Sequence, residues 1–213
     1  MVAGFVMVLA GGSDSPLAAA GSSEDVLRGS GLSFPHVQPG LGQGLELVGS
    51  LDLATTTAPF PADASHEYSW SLYGPVVHQV DSSPGVTERQ LTFGFLELRE
   101  DASRNLMYLP HPPNAAVPSS FHDGTILLLG EVTELRILDV FGIVTATATV
   151  RFVAGSALPE LAALTTWTFD SAVSPHGPAV PPGYGAHWSV ELSPVAPVGV
   201  QDSSWGSLKA LYR

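Results

Sequence analysis

Two alternating runs of hydrophobic and polar residues between positions 121 and 155 form the clearest structural pattern in the chain. One face of the second run is apolar throughout and consists of Val144, Ala146, Ala148, Val150 and Phe152. A period of two, with three threonines and Arg151 at the intervening positions, is typical of a strand with one buried face. The stretch therefore predicts a long β-hairpin, with its turn at residues 139–142 and Gly142 at positive φ.

The apolar positions of the first run change parity part-way along it. Those before the change are Ile126, Leu128 and Val132, and those after it are Leu135 and Ile137. A single inserted residue explains such a change, because it turns every later side chain to the opposite face. We therefore expect a β-bulge near Thr133 or Glu134.

Shorter alternating runs predict further strands along the chain. They lie at residues 45–53, 68–72, 76–80, 89–98, 106–109, 167–169 and 186–192. Residues 158–164 have apolar positions at helical spacing and predict one short helix. Hairpin arms of roughly ten residues or more exceed the usual ~5–6 and suit two packed sheets. We expect an all-β fold, an antiparallel β-sandwich of jelly-roll type with one short helix.

The amino-acid composition excludes several classes of binding partner and of chemistry. The chain has 213 residues, of which 13% are charged, and its net charge is −12 with only eight Lys and Arg residues. No basic stripe is present to neutralise phosphates, so nucleic acid and anionic membrane surfaces are poor partners. The sequence contains no cysteine, which excludes disulfides, thiolate catalysis and cysteine-based metal sites.

The ends of the chain predict an exported protein. Residues 1–20 have the pattern of a truncated signal peptide, in which an apolar run precedes three alanines; a buried N-terminal strand is the alternative. Residues 21–44 are rich in Gly and Ser and predict a flexible leader. The β-sandwich domain is expected at residues 45–192, followed at 193–213 by a linker and tail, which is either an appended tag or a terminal amphipathic turn. No later segment contains about 18 uninterrupted apolar residues, so we expect no membrane span in the mature chain.

Three short phrases carry a family resemblance. They are residues 121–125 (FHDGT) before an apolar strand, residues 153–155 (VAG) after the hairpin, and residues 182–184 (PGY) before Trp188. Together with the strand order, they resemble exported β-sandwich domains of bacterial surface proteins, notably PEP-CTERM and other choice-of-anchor proteins. The resemblance covers residues 45–192 and implies secretion or cell-surface location, with a structural or adhesive role. The C-terminal tail departs from that class because it has no Pro-Glu-Pro motif.

The seven histidines show no metal-binding spacing. His111 and His122 flank one proline-rich loop, and His176 and His187 flank another. If these loops met at one end of the sandwich, they would converge with Asp123 on a metal; four exposed histidines are the simpler interpretation. We therefore predict neither a metal nor a cofactor.

Aromatic residues offer a second way to bind a ligand. Trp70, Trp167 and Trp188 occupy apolar positions of predicted strands and are expected in the core rather than on a sugar-stacking surface. Tyr184 lies in a glycine-rich loop and is the expected exposed contact. The candidate ligand-binding residues are thus Tyr184, His187, His111, His122 and Asp123.

The sequence contains no motif that assigns a catalytic residue. The Gly-x-Ser-x-Gly elbow of a serine hydrolase is absent. Glu131 and Glu134 are the obvious carboxylates for glycoside hydrolysis, although charges on an outer face are their simpler interpretation. We expect a non-enzymatic, exported envelope or matrix protein with a structural or adhesive role and a polysaccharide or protein partner. A carbohydrate-binding module and a glycan-active enzyme are the alternatives.

Overall fold

Antiparallel strands make up most of the described chain. A computed structural model of the protein describes residues 25–34, 38–109, 119–161, 165–174 and 180–195. The strands are β1 (Leu27–Phe34), β2 (Glu46–Leu51), β3 (Glu67–Tyr73), β4 (Val77–Ser83), β5 (Val86–Leu91), β6 (Gly94–Asp101), β7 (Thr125–Val140), β8 (Ile143–Ala154), β9 (Thr166–Ser174) and β10 (His187–Pro194). Single 3₁₀ turns lie at Ser119–Phe121 and Leu158–Leu161. The all-β prediction is confirmed.

Eight of these strands close into a barrel. Their order around the ring is β7, β6, β3, β2, β1, β10, β9 and β8, and β8 pairs again with β7. The β4–β5 hairpin lies outside the ring and extends the sheet beside the second half of β7. A jelly-roll sandwich was expected, and the closed ring replaces it. Closure pairs both edges of the sheet and so removes the exposed backbone groups that a sandwich leaves at its edges.

The long hairpin is confirmed, together with the apolar face of its second arm, its bulge and its turn. Its second arm turns the predicted apolar face inward, from Val144 to Phe152, each of the five residues being at most 7% exposed. The pairing of β7 with β8 shifts register between Thr133 and Arg136, where Glu134 has a φ of 54°. Gly142 in the turn has a φ of 85°. The bulge lets β7 keep an apolar inner face on both sides of the parity change.

The predicted flexible leader contains a barrel strand. Residues 21–44 were expected to be mobile because they are rich in Gly and Ser, yet β1 pairs with both β2 and β10. Leu27, Leu32 and Phe34 are all at most 3% exposed. The domain therefore extends from β1 to β10, and the boundary predicted at residue 45 is wrong. The signal-peptide prediction for residues 1–20, and the tail from residue 196 onward, lie outside the described residues.

The glycines of β1 and β2 make room for the indole of Trp70. A Cβ atom on Gly31 would lie 2.5 Å from Trp70 Cζ2, and one on Gly49 would lie 2.5 Å from Trp70 Cε2. The indole Nε1 donates a hydrogen bond to the Ser50 carbonyl oxygen at 3.3 Å. Trp70, like Trp167 and Trp188, is at most 1% exposed, so the prediction that these tryptophans pack in the core is confirmed.

Three other predicted elements differ from the structure. The run at residues 89–98 is divided between β5 and β6, because the chain leaves β5 after Leu91 and begins a new strand at Gly94. A Cβ atom on Gly94 would lie 2.4 Å from Pro75 Cγ, so the second strand begins against the Gly74–Pro75 turn. Residues 106–109 form no strand. The predicted short helix is a 3₁₀ turn at Leu158–Leu161, and residues 162–164 lie outside the described chain.

A second hydrophobic cluster lies outside the barrel wall. Its buried members are Leu32, Phe34, Val48, Phe121 and Tyr184, with Leu106, Tyr108 and Val180 packed against them. It covers the outward face of β1, β2 and β3. Ser69 and Ser71 alternate with the inward residues of β3, a pattern that predicts solvent-facing side chains, but they are 3% and 1% exposed. These serines are buried because the second hydrophobic cluster packs over β3. Alternation along one strand cannot show that its outer face is covered in this way.

A polar cluster holds the loop before β3 against β6. Tyr68 Oη donates a hydrogen bond to Glu100 Oε1 at 2.7 Å and accepts one from the Asp63 backbone N–H at 2.7 Å. His66 Nδ1 lies 2.9 Å from Glu100 Oε1. The pKa of His66 is raised above its ordinary value, first because of Glu100 and then because of Asp63.

Candidate functional site

A cleft of about 330 Å³ opens on the outer face of the barrel, beside the second hydrophobic cluster. It is lined by Phe34, Glu46, Leu47, Val48, Ser71, Leu72, Tyr73, Gly74, Glu97, Arg99 and His122. Strand register brings its floor together, because Val48 pairs with Ser71 and Ser71 pairs with Glu97. Its volume lies near the lower limit for small-molecule sites, which are roughly 300–1,000 Å³.

The Glu97 carboxylate is fixed on one side of the cleft. Tyr73 Oη donates a hydrogen bond to Glu97 Oε1 at 2.7 Å, while Arg99 Nη2 and Nε lie 2.8 and 3.0 Å from Glu97 Oε2. The Arg99 and Glu97 side chains are only 16% and 12% exposed. Burial, and then the bond to Glu97, raises the pKa of Tyr73 to about 12, so its hydroxyl stays protonated as a donor. This wall of the cleft is therefore pre-organised and polar.

Two buried polar atoms of the cleft have no hydrogen-bond partner among the described residues. They are Ser71 Oγ and His122 Nε2. Ser71 is 1% exposed, so its hydroxyl is shielded from bulk water. Burial, and then the positive charge of Arg99, lowers the pKa of His122, which favours the neutral imidazole. An unsatisfied buried group costs about 1–3 kcal/mol, so a ligand that brings a hydrogen-bonding group to either atom would recover part of that cost.

Glu46 provides a second carboxylate at the cleft. Burial raises the pKa of Glu46, and no charged neighbour opposes that shift. Among the described residues, no hydrogen bond or ion pair reaches its carboxylate. Glu46 thus differs from Glu97, which has two partners within 3.0 Å.

The structure separates the predicted ligand-binding residues. His122 lines the cleft, whereas the neighbouring Asp123 is exposed and accepts a hydrogen bond from Asn105 at 3.2 Å. His187 lies in β10, opposite Leu32 and Ser174, and does not line the cleft. His111 lies outside the described residues. Across the described ranges, no group of three His, Asp or Glu side chains is arranged to hold a metal ion.

Tyr184 is buried, so its predicted exposure is wrong. It is 7% exposed, and its ring meets Phe34 and Tyr108 edge-on at centroid distances of 6.0 and 5.6 Å. Its hydroxyl donates to the Tyr108 carbonyl oxygen at 3.4 Å. The glycine-rich loop that carries Tyr184 folds onto the barrel wall, which converts the expected contact residue into part of the cover beside the cleft.

The carboxylates named for glycoside hydrolysis lie elsewhere on the barrel. Glu131 pairs across the hairpin with Arg151, at 2.5 Å between Oε2 and Nη2. Glu134 is exposed at the bulge of β7. Neither lines the cleft, and both fit their simpler interpretation as outer-face charges.

A larger groove on another part of the barrel wall has fewer unpaired polar groups that could bind a ligand. It has a volume of about 790 Å³ and crosses the outer faces of β8, β9, β10 and β1. Its one basic residue, Arg28, is paired with Glu191 at 2.9 Å, and both side chains are nearly half exposed. None of its lining residues has a buried polar side-chain atom without a partner. We therefore place the candidate site in the smaller cleft.

Sequence patterns missed most of the cleft. Ser71, Glu97 and Arg99 occupy outward positions of alternating strands and resemble solvated residues. Distant segments that contain Phe121 and Tyr184 pack over this part of the sheet. Their packing encloses these outward residues and so forms the cleft. The one local signal was His122, at the start of the FHDGT phrase.

Comparisons with known protein families, curated proteins and solved structures found no match to this chain. Among the residues that the structure describes, none belongs to a helix with the length and apolar character needed to cross a membrane.

Proposed function

We propose that this protein is a non-enzymatic, exported adhesive protein of the bacterial envelope or matrix, and that its outer cleft binds a saccharide unit. The observation that carries the proposal is the pair of unpartnered buried atoms, Ser71 Oγ and His122 Nε2, in one small cleft. A hydroxyl-rich ligand both donates and accepts hydrogen bonds, which suits a serine hydroxyl and a neutral imidazole.

The remaining lining supports the same class of ligand. Glu97 and Arg99 supply fixed acceptors and donors on one side, and Tyr73 supplies aromatic surface. Sugar rings combine hydroxyl groups with apolar C–H faces, so they need both kinds of surface. The exported, envelope-associated part of the proposal rests on the signal-like N-terminus and on the resemblance to bacterial surface domains.

Saccharide binding is tested by titrating monosaccharides and short oligosaccharides into the full chain and measuring affinity by calorimetry. Ser71→Ala removes one hydrogen-bonding group, and we expect affinity to fall between about three- and tenfold. The same variant should unfold at an unchanged or higher urea concentration, because it also removes an unsatisfied buried hydroxyl.

Ser189→Ala is the matched control, since Ser189 is an exposed outward residue of β10 outside the cleft. It should leave affinity unchanged. The proposal is wrong if no saccharide binds, or if Ser71→Ala and Ser189→Ala bind equally well.

A glycan-active enzyme is the second candidate, favoured by one observation. Two carboxylates, Glu46 and Glu97, line the same cleft, and burial raises the pKa of Glu46. Glycoside hydrolysis commonly uses one carboxyl group with a raised pKa as acid and a second carboxylate as base or nucleophile. Release of new reducing ends from an oligosaccharide, abolished in Glu46→Gln but not in Glu134→Gln, would favour this enzyme over a binding protein.

A further inference from the structure

Glu46 is the one acidic side chain at the cleft with no partner among the described residues. Glu97 is neutralised by Arg99 at 2.8 Å and hydrogen-bonded by Tyr73. Glu46 has neither kind of contact, although its carboxylate is partly buried. Because Arg99 balances Glu97 and the His122 imidazole is neutral, an ionised Glu46 leaves the cleft with one uncompensated negative charge.

A partly buried carboxylate is stabilised by a proton or by a cation. Burial penalises the charged form, and an opposite charge within about 4–6 Å removes that penalty. Tyr73 also lines the cleft, and aromatic faces attract ammonium groups. Both features favour a ligand that carries a positive charge.

Resting on the proposed saccharide function, we infer that the preferred ligand is an amino sugar with a free ammonium group. The ammonium would pair with Glu46, while ring hydroxyls would bond to Ser71 Oγ and His122 Nε2. The unpartnered Ser71 hydroxyl, at 1% exposure, is an observation independent of the acidic residue, and it favours a ligand with hydroxyl groups over a bare cation. An N-acetylated sugar keeps the hydroxyls but loses the charge.

The test compares glucosamine, N-acetylglucosamine and glucose by calorimetry at about pH 6.5, where an amine of this type is protonated. We expect glucosamine to bind about tenfold more tightly than either neutral sugar, since a hydrogen bond to a charged group contributes about 1.5–3 kcal/mol. Glu46→Gln should remove that preference, so that glucosamine and glucose bind to the variant with equal affinity. Glu134→Gln removes the same charge from the exposed bulge and should keep the preference. It therefore controls for the change in the protein's net charge.

The outcomes separate the inference from the function on which it rests. Equal affinity for the three sugars overturns the inference and leaves saccharide binding intact. A preference for glucosamine that survives in Glu46→Gln also overturns the inference, because a group other than Glu46 would then bind the ammonium. If none of the three sugars binds, both the saccharide function and the inference fail. Near-identical amide NMR spectra of the two variants and the parent protein establish that each variant is folded.

Discussion

Replacing Gly49 by alanine should destabilise the barrel through the indole of Trp70. The new Cβ would lie 2.5 Å from Trp70 Cε2 and 2.3 Å from the Ser30 carbonyl oxygen. Carbon atoms in contact are normally about 3.5–4.0 Å apart, so the ring would have to move by about 1 Å. Trp70 is 1% exposed and belongs to the main hydrophobic core.

The magnitude follows from the cost of overpacking. Inserting one methyl group into a packed core costs about 1–3 kcal/mol, and occasionally more. We expect at least 3 kcal/mol, because one of the two clashing groups is backbone and cannot rotate away. For a domain with a free energy of unfolding of about 5–15 kcal/mol, this is a large fraction of the total.

The assay is urea unfolding followed by far-ultraviolet circular dichroism, in a double-mutant cycle with Trp70→Phe. The smaller ring lacks the indole atoms nearest Gly49, so Gly49→Ala should cost about 1–2 kcal/mol less in that background. Gly44→Ala is the matched control, because its Cβ would meet only the Pro75 carbonyl oxygen, at 3.8 Å. It should change stability by no more than about 0.5 kcal/mol. Additivity of the two substitutions would refute the proposed contact.

Two further predictions concern His66 and the bulge of β7. Because Glu100 raises the pKa of His66, the stability that this pair contributes is fully present below pH 6.5 and is lost as pH rises through the raised value. NMR titration of the imidazole checks this, and a pKa at or below 6.5 would contradict it. Glu134 has a φ of 54°, so Glu134→Gly should raise the free energy of unfolding by roughly 0.5–1 kcal/mol. Thr133→Gly on the same bulge should lower it, and a loss of stability in Glu134→Gly would exclude strain at that residue.

Local periodicity was sufficient to predict the long hairpin. The inner face from Val144 to Phe152, the bulge at Glu134 and the turn at Gly142 all depend on neighbouring residues of one hairpin. Barrel closure depends instead on contacts between distant segments. The pairing of Leu27 with Leu192 joins residues at opposite ends of the domain, and no local pattern encodes that choice over a sandwich.

The missed strand β1 has a specific physical cause. Its sequence, LRGSGLSF, has low strand propensity because it contains two glycines and two serines. Those glycines are needed because the Trp70 ring lies against the backbone at Gly29 and Gly31. A composition that indicates a flexible linker can therefore also accommodate a large side chain from a neighbouring strand.

The candidate site was hidden for a related reason. Alternation correctly predicts that Ser71 and Glu97 point away from the barrel interior, but it cannot show that other segments cover them. The same cover reverses the expectation for Tyr184, whose ring packs beside Phe34 instead of meeting a ligand. Long-range packing therefore determines both which outward polar residues are buried and which loop aromatics are exposed.

The most direct test of a saccharide site is a crystal structure of the protein soaked with glucosamine. We predict that the sugar occupies the outer cleft, with hydroxyl groups within about 3.2 Å of Ser71 Oγ and His122 Nε2 and its ammonium beside Glu46. A sugar bound on another surface, or a cleft in which protein groups satisfy both Ser71 Oγ and His122 Nε2, would contradict the proposed function.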